Sequence, residues 1–133
     1  MPITGECFCG EITYEVNSPL RDARCCHCSR CRKAFSSQSS AVAFLDTRDF
    51  QWVIGSSNLK SYVGNHGYGY QFCQTCGSAL TIIFNNDVIG VTLGCVNGDP
   101  KVEIGMHVYV GSKASWEILP EGVLQYREGP PNA

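Results

Sequence analysis

Phe72-Cys73-Gln74-Thr75-Cys76-Gly77-Ser78 runs directly into Ala79-Leu80-Thr81-Ile82-Ile83-Phe84, an apolar segment with β-branched residues at its centre. The order of these two pieces decides the fold. A redox-active Cys-x-x-Cys belongs where a strand passes into a helix beside a parallel sheet. Here the second cysteine leads through Gly77-Ser78 into another strand, which disfavours a thioredoxin-like motif and predicts a metal knuckle. Gly77 can take the positive φ that closes such a turn. The turn then aims backbone N–H groups at the sulfurs.

A second pair, Cys7-Phe8-Cys9-Gly10, precedes the strictly alternating Glu11-Ile12-Thr13-Tyr14-Glu15-Val16. In an extended segment, alternate residues share a face, so Cys7 and Cys9 point the same way. A turn at Gly10 would bring both sulfurs within ~2.3 Å of a shared ion. Cys7, Cys9, Cys73 and Cys76 together supply four thiolates. That number fills a tetrahedron and leaves no position for chemistry, so this zinc site is expected to be structural.

Strand signals continue outward from the knuckles. Short strands are expected over Ala41 to Leu45, Gln51 to Ile54, Leu59 to Val63, Tyr68 to Phe72, Ala79 to Phe84, Val88 to Leu93 and His107 to Val110. Turn clusters such as Gly64-Asn65, Asn85-Asn86-Asp87 and Asn97-Gly98-Asp99-Pro100 separate them. The one plausible helical turn spans Cys28 to Lys33. Many short strands with frequent turns predict an all-β architecture with little helix. With 133 residues, the chain fits one domain over 1–133, with residues 128–133 as a flexible tail.

Nine cysteines is a high and odd count. The N-terminus, Met1-Pro2-Ile3-Thr4-Gly5, has neither a basic nor an apolar leader region, so a cytoplasmic setting is expected. There thiols stay reduced, and closely spaced cysteines point to metal rather than disulfides. No apolar run approaches the ~20 residues that cross a bilayer. A formal charge of -2 without a basic run disfavours nucleic acid as a partner.

The densest chemistry lies in Cys25-Cys26-His27-Cys28-Ser29-Arg30-Cys31-Arg32-Lys33. Cys26, Cys28 and Cys31 form a Cys-x-Cys-x-x-Cys set that could share one ion, while Cys25 would point the opposite way. Three protein ligands with an open fourth position make the catalytic zinc pattern. The closed alternative has His27, or a distant cysteine such as Cys95, as the fourth ligand. Arg30, Arg32 and Lys33 crowd the same segment and would attract an anionic ligand. Cys25 and Cys95 are read as small buried hydrophobes. His107 is read as a core residue or a neighbour of the second ion, His66 as a loop residue, and Trp52 and Trp116 as core or rim aromatics.

These motifs, taken together, resemble the glutathione-dependent formaldehyde-activating enzyme family. The likeness rests on Gly5-x-Cys7-x-Cys9-Gly10 with Tyr14, Cys26-His27-Cys28-Ser29-x-Cys31-Arg32-Lys33, Phe72-Cys73-x-x-Cys76-Gly77-Ser78, and His107-x-Tyr109 followed by Lys113-x-x-Trp116. It implies an all-β "β-tent" fold with two zinc ions. Cys7, Cys9, Cys73 and Cys76 would hold the first, and Cys26, Cys28 and Cys31 the second. The implied activity is that of a carbon-sulfur lyase joining glutathione and formaldehyde as S-hydroxymethylglutathione. Arg30, Arg32 or Lys33 would contact the carboxylates of the thiol. The family often carries a glycine shortly after the Cys-Arg-Lys segment, where this chain reads Ala34-Phe35-Ser36-Ser37-Gln38. A non-catalytic zinc scaffold that binds a protein partner is the alternative function.

Overall fold

The structure is a computed structural model, and its described residues run from Met1 to Pro131. Asn132 and Ala133, the end of the expected tail, lie outside them. In chain order the strands are β1 (Ile3–Glu6), β2 (Thr13–Val16), β3 (Arg21–Cys26), β4 (Ser40–Phe44), β5 (Phe50–Ile54), β6 (Leu59–Val63), β7 (Tyr68–Cys73), β8 (Ala79–Phe84), β9 (Asp87–Thr92) and β10 (Met106–Val108). The α-helix among them, α1, spans Ser29–Phe35. Short 3-10 turns fill several of the connections. The all-β expectation holds, and each strand foreseen from β-branched and aromatic content is present within one or two residues at either end. Between β4 and β5 the chain makes a 3-10 turn over Thr47–Asp49.

The chain divides into two compact units. The first comprises Met1–Arg21 and Ala43–Val102. In it β1, β2 and β5 form an antiparallel sheet in that order. β9, β8, β7 and β6 follow one another in a second antiparallel ladder. Ile12, Tyr14, Val16, Leu80, Ile83 and Val91 are almost completely buried here. The second unit comprises Asp22–Val42 and the residues from Glu103 onward. It holds α1 and β3, with β10 lying parallel to β3 in the register His107 to Cys25 and Val108 to Cys26. β3 and β10 are joined through a long stretch of chain, which frees them to pair in parallel.

Two strands escape the hydrophobic pattern. β1 is four residues with a glycine inside it, and β3 reads Arg-Asp-Ala-Arg-Cys-Cys with Asp22 at φ 56°. β3 looks like a loop because its partner β10 lies far along the chain, and β1, though it pairs with the adjacent β2, offers few apolar side chains. Gly5 in β1 stands opposite Tyr14 in β2. Tyr14 packs at 5.2 Å from the ring of Phe50 and edge-on to Trp52 at 6.0 Å. A Cβ at Gly5 would run into the Tyr14 ring, so the glycine here provides space. Gly5→Ala should therefore overpack this cluster and lower stability by about 1–3 kcal/mol, read as a shift of the urea midpoint with an unchanged slope.

Candidate metal centres

The first centre grows out of two tight turns. In one, the Gly10 N–H donates to the Cys7 carbonyl at 3.1 Å. In the other, the Gly77 N–H donates to the Cys73 carbonyl at 2.8 Å. Both glycines take positive φ, 80° and 82°, as the spacing predicted. Phe8 between the two cysteines is 93% exposed, so Cys7 and Cys9 do share the opposite face. The four sulfurs of Cys7, Cys9, Cys73 and Cys76 all lie within 4.8 Å of one another. The separations from Cys7 to Cys9 and from Cys9 to Cys73 are 3.6 and 3.7 Å. A tetrahedron with ~2.3 Å zinc-sulfur bonds has edges of ~3.8 Å, so the set fits a zinc ion.

Polar groups are aimed at these sulfurs. The Ile12 N–H points at Cys7 at 3.4 Å, and the Asn58 side-chain amide at Cys73 at 3.6 Å. The Ser78 hydroxyl lies 3.3 Å from the Cys76 sulfur and also accepts from the Phe8 N–H at 2.8 Å, tying one knuckle to the other. Ser78 stands in the quoted motif, yet its spacing alone gave it no role, and Asn58 carries no local signal at all. The crowding splits the thiols. The Glu11 backbone favours the Cys9 thiolate, but lost solvent and the adjacent thiols outweigh it and push Cys9 up to about 12. Burial raises Cys76, but hydrogen bonds from Ser78, the Cys9 backbone and Cys73 bring it down to about 6. Packed sulfurs cannot all ionise without a cation among them, which is what a metal-binding set requires.

The second centre sits where β3 ends and α1 begins. The Cys28 sulfur accepts from the Cys31 N–H at 3.3 Å and so caps the helix. Cys31 follows three residues on, one turn along the same face. Cys26, Cys28 and Cys31 bring their sulfurs within 4.8 Å of one another. Hydrogen bonding with Cys26 is the main cause holding Cys31 at about 6, and the same bond pushes Cys26 well up. Arg30 and Lys33 are exposed, while Arg32 is half-buried. The Arg32 Nε is buried with no hydrogen-bond partner. Ser36 ends the helix in the left-handed region at φ 52°, ψ 45°, the conformation that glycine adopts most readily.

His27 does not turn toward this trio. It is fully buried, with Nε2 at 2.9 Å from Nδ1 of His107 and Nδ1 at 3.1 Å from the Glu117 carboxylate. Glu117, 90 residues from His27, carried no sequence signal. His107 is likewise buried, and burial is the main cause lowering its pKa. Cys25 and Cys95 join neither sulfur group, and both thiols are raised chiefly by burial. His66 is exposed in a turn, Trp52 is half-buried, and Trp116 is 69% exposed.

The sequence matches the glutathione-dependent formaldehyde-activating enzyme family over residues 2–112. The chain belongs to this family. A crystal structure of a Rhodobacter sphaeroides protein is similar to it, with 27% identity and a TM-score of 0.58, covering 92% of this chain and 98% of that one. No curated protein is similar enough to count as a match. Among the described residues, no helix is long and apolar enough to cross a membrane.

Two measurements test the centres. Cys73→Ser should cost one tightly held ion per chain and lower the unfolding temperature, read by elemental analysis alongside circular dichroism. Without added metal, Cys31 stays largely thiolate down to about pH 6, because a lowered pKa favours the charged form. Its alkylation by iodoacetamide should fall only below that pH, whereas Cys25 should react slowly throughout the neutral range, as peptide mapping would show.

Proposed function

We propose that this family member is a cytoplasmic, zinc-dependent carbon-sulfur lyase that forms or cleaves a thiol-aldehyde adduct of the S-hydroxymethylglutathione type. The observation that carries this reading is the three-sulfur set of Cys26, Cys28 and Cys31 at the mouth of a cationic helix. Four sulfurs at Cys7, Cys9, Cys73 and Cys76 complete a coordination shell, whereas three leave one position for a reactant. A zinc ion bound by the trio would supply Lewis acidity, lowering the pKa of an entering thiol or polarising an aldehyde oxygen.

The remaining work falls to the chain itself. Glutathione carries two carboxylates, and Arg30, Arg32 and Lys33 present guanidinium and ammonium groups on one short helix beside the sulfurs. The exposed side chains of Arg30 and Lys33 are open to such a carboxylate. With the thiol held there, sulfur attacks the carbonyl carbon, a carbon-sulfur bond forms, and the carbonyl oxygen takes up the proton that the thiol gave. Cleavage runs the same steps backward.

A closed, non-catalytic scaffold would need a fourth protein ligand at the trio. The nearest histidine, His27, has both ring nitrogens facing His107 and Glu117, which favours the open reading. Because thiols add to formaldehyde unaided, the decisive measurement is exchange. Exchange NMR on glutathione, formaldehyde and their adduct should show faster interconversion with the wild-type protein than in buffer. Cys28→Ser keeps a good helix cap while removing one thiolate, and should abolish the acceleration. No acceleration with several thiols and aldehydes, at full zinc loading, overturns the proposal.

A further inference from the structure

Strand alternation explains why His27 is buried while its neighbours are not. Cys26 and Cys28 are half-exposed and share one face, and the residue between them must enter the other. That residue is fully buried and polar, so each ring nitrogen needs a partner. Nδ1 lies 3.1 Å from the Glu117 carboxylate, too poorly aligned for a hydrogen bond, and neither atom is hydrogen-bonded to any other group among the described residues. Nε2 shares a hydrogen bond with Nδ1 of His107 across 2.9 Å. The two imidazoles lie 5.1 Å apart, tilted by 31°.

Both partners are themselves fixed. His107 is paired on β10 and donates its backbone N–H to the Leu124 carbonyl at 2.8 Å. Glu117 closes a turn in which its N–H donates to the Ala114 carbonyl at 3.2 Å, and the Lys113 ammonium donates to the Glu117 carbonyl at 2.9 Å. The His27 backbone N–H extends the β3–β10 pairing by donating to Val108 at 2.9 Å. The residue between two candidate ligands is thus held by its main chain and by the His107 ring, with the Glu117 carboxylate packed against its other nitrogen.

We infer that His27 and Glu117 are positioning residues, a buried strut that sets the separation of the Cys26 and Cys28 sulfurs and so the affinity of the second metal site. The inference rests on the reading that Cys26, Cys28 and Cys31 hold an ion. Truncating the carboxylate removes the polar group that faces a buried nitrogen and leaves a space beside the ring. The simplest relief is rotation of the His27 backbone, which carries both adjacent sulfurs with it. The first centre lies outside this network and serves as an internal control. The same logic applies to groups that orient known metal ligands, whose loss weakens metal binding by roughly 10–100-fold.

The experiment uses the full chain loaded with zinc or cobalt. Chelator competition gives the affinity of each ion, and cobalt absorption reports the geometry of the thiolate set. Glu117→Ala should bind the second ion at least about tenfold more weakly and shift its cobalt bands, with the first ion unchanged. Glu117→Gln, which keeps the shape and a polar oxygen opposite Nδ1, should recover most of the affinity. If Glu117→Ala does not fold, Glu117→Asp, which withdraws the carboxylate by one methylene, gives the same comparison. Wild-type affinity and spectrum in these variants overturn the strut, and so does equal weakening of both ions. Wild-type protein that takes up a single ion overturns the second metal site itself, a result distinct from two ions and an indifferent Glu117.

Discussion

The first unit depends on bringing Cys9 and Cys73, 64 residues apart in sequence, to 3.7 Å in space. Closing a loop of that length costs on the order of 4 kcal/mol in chain entropy. Crowding four thiols adds a further penalty, visible in how far apart the proton affinities of Cys9 and Cys76 are driven. An ion bound by the four thiolates would supply roughly 10 kcal/mol, more than the loop closure costs. The strands between the knuckles are short, and a hairpin of such strands is marginal alone. Fixing Cys7 and Cys9 against the end of β7 holds the polar start of the chain to the apolar β7–β8 ladder. This gives β1, which contains little to bury, a place in the fold.

The two sulfur groups differ in their surroundings, and the difference follows from charge. Around the first, neutral donors face the sulfurs: the Ile12 N–H, the Asn58 amide and the Ser78 hydroxyl. Neutral donors spread thiolate charge without attracting anything from solution, which suits a closed site. Around the second, α1 carries three cations and no acidic residue in its first turn. Fixed cations raise the local concentration of anions, which is useful only where something is to be bound. This contrast supports the proposed division into anchorage at the first group and recruitment at the second.

Much of this was legible in the sequence because it is local. Cys-x-Cys and Cys-x-x-Cys spacing, the glycines after them and the β-branched and aromatic runs of β5 to β9 each act over a few residues. What was hidden acts over distance. β3 is polar, and its partner β10 lies some 80 residues on, so no window of sequence contains the pair. Glu117 is hidden for the same reason, since a carboxylate in a loop is ordinary until a buried imidazole is set against it. His27 itself was legible in part. Its place between two cysteines marked it as near the second set, but the sequence left it open as a fourth ligand and did not say what it would meet.

The helix at the second centre shows how closely these levels are joined. α1 is seven residues long, about two turns, and an isolated helix of that length is not stable in water. It has no acidic residue near its N-terminus to oppose the helix dipole, and its left-handed end is made by Ser36 rather than glycine. The interactions that favour it are Cys28 capping the Cys31 N–H, and the fixed course of the chain through Cys26 and His27. Arg30, Arg32 and Lys33 are therefore displayed only as well as the cysteine segment is ordered. In this arrangement the sulfurs that would hold an ion also present the cations that would hold an anionic thiol, so order at one is order at the other.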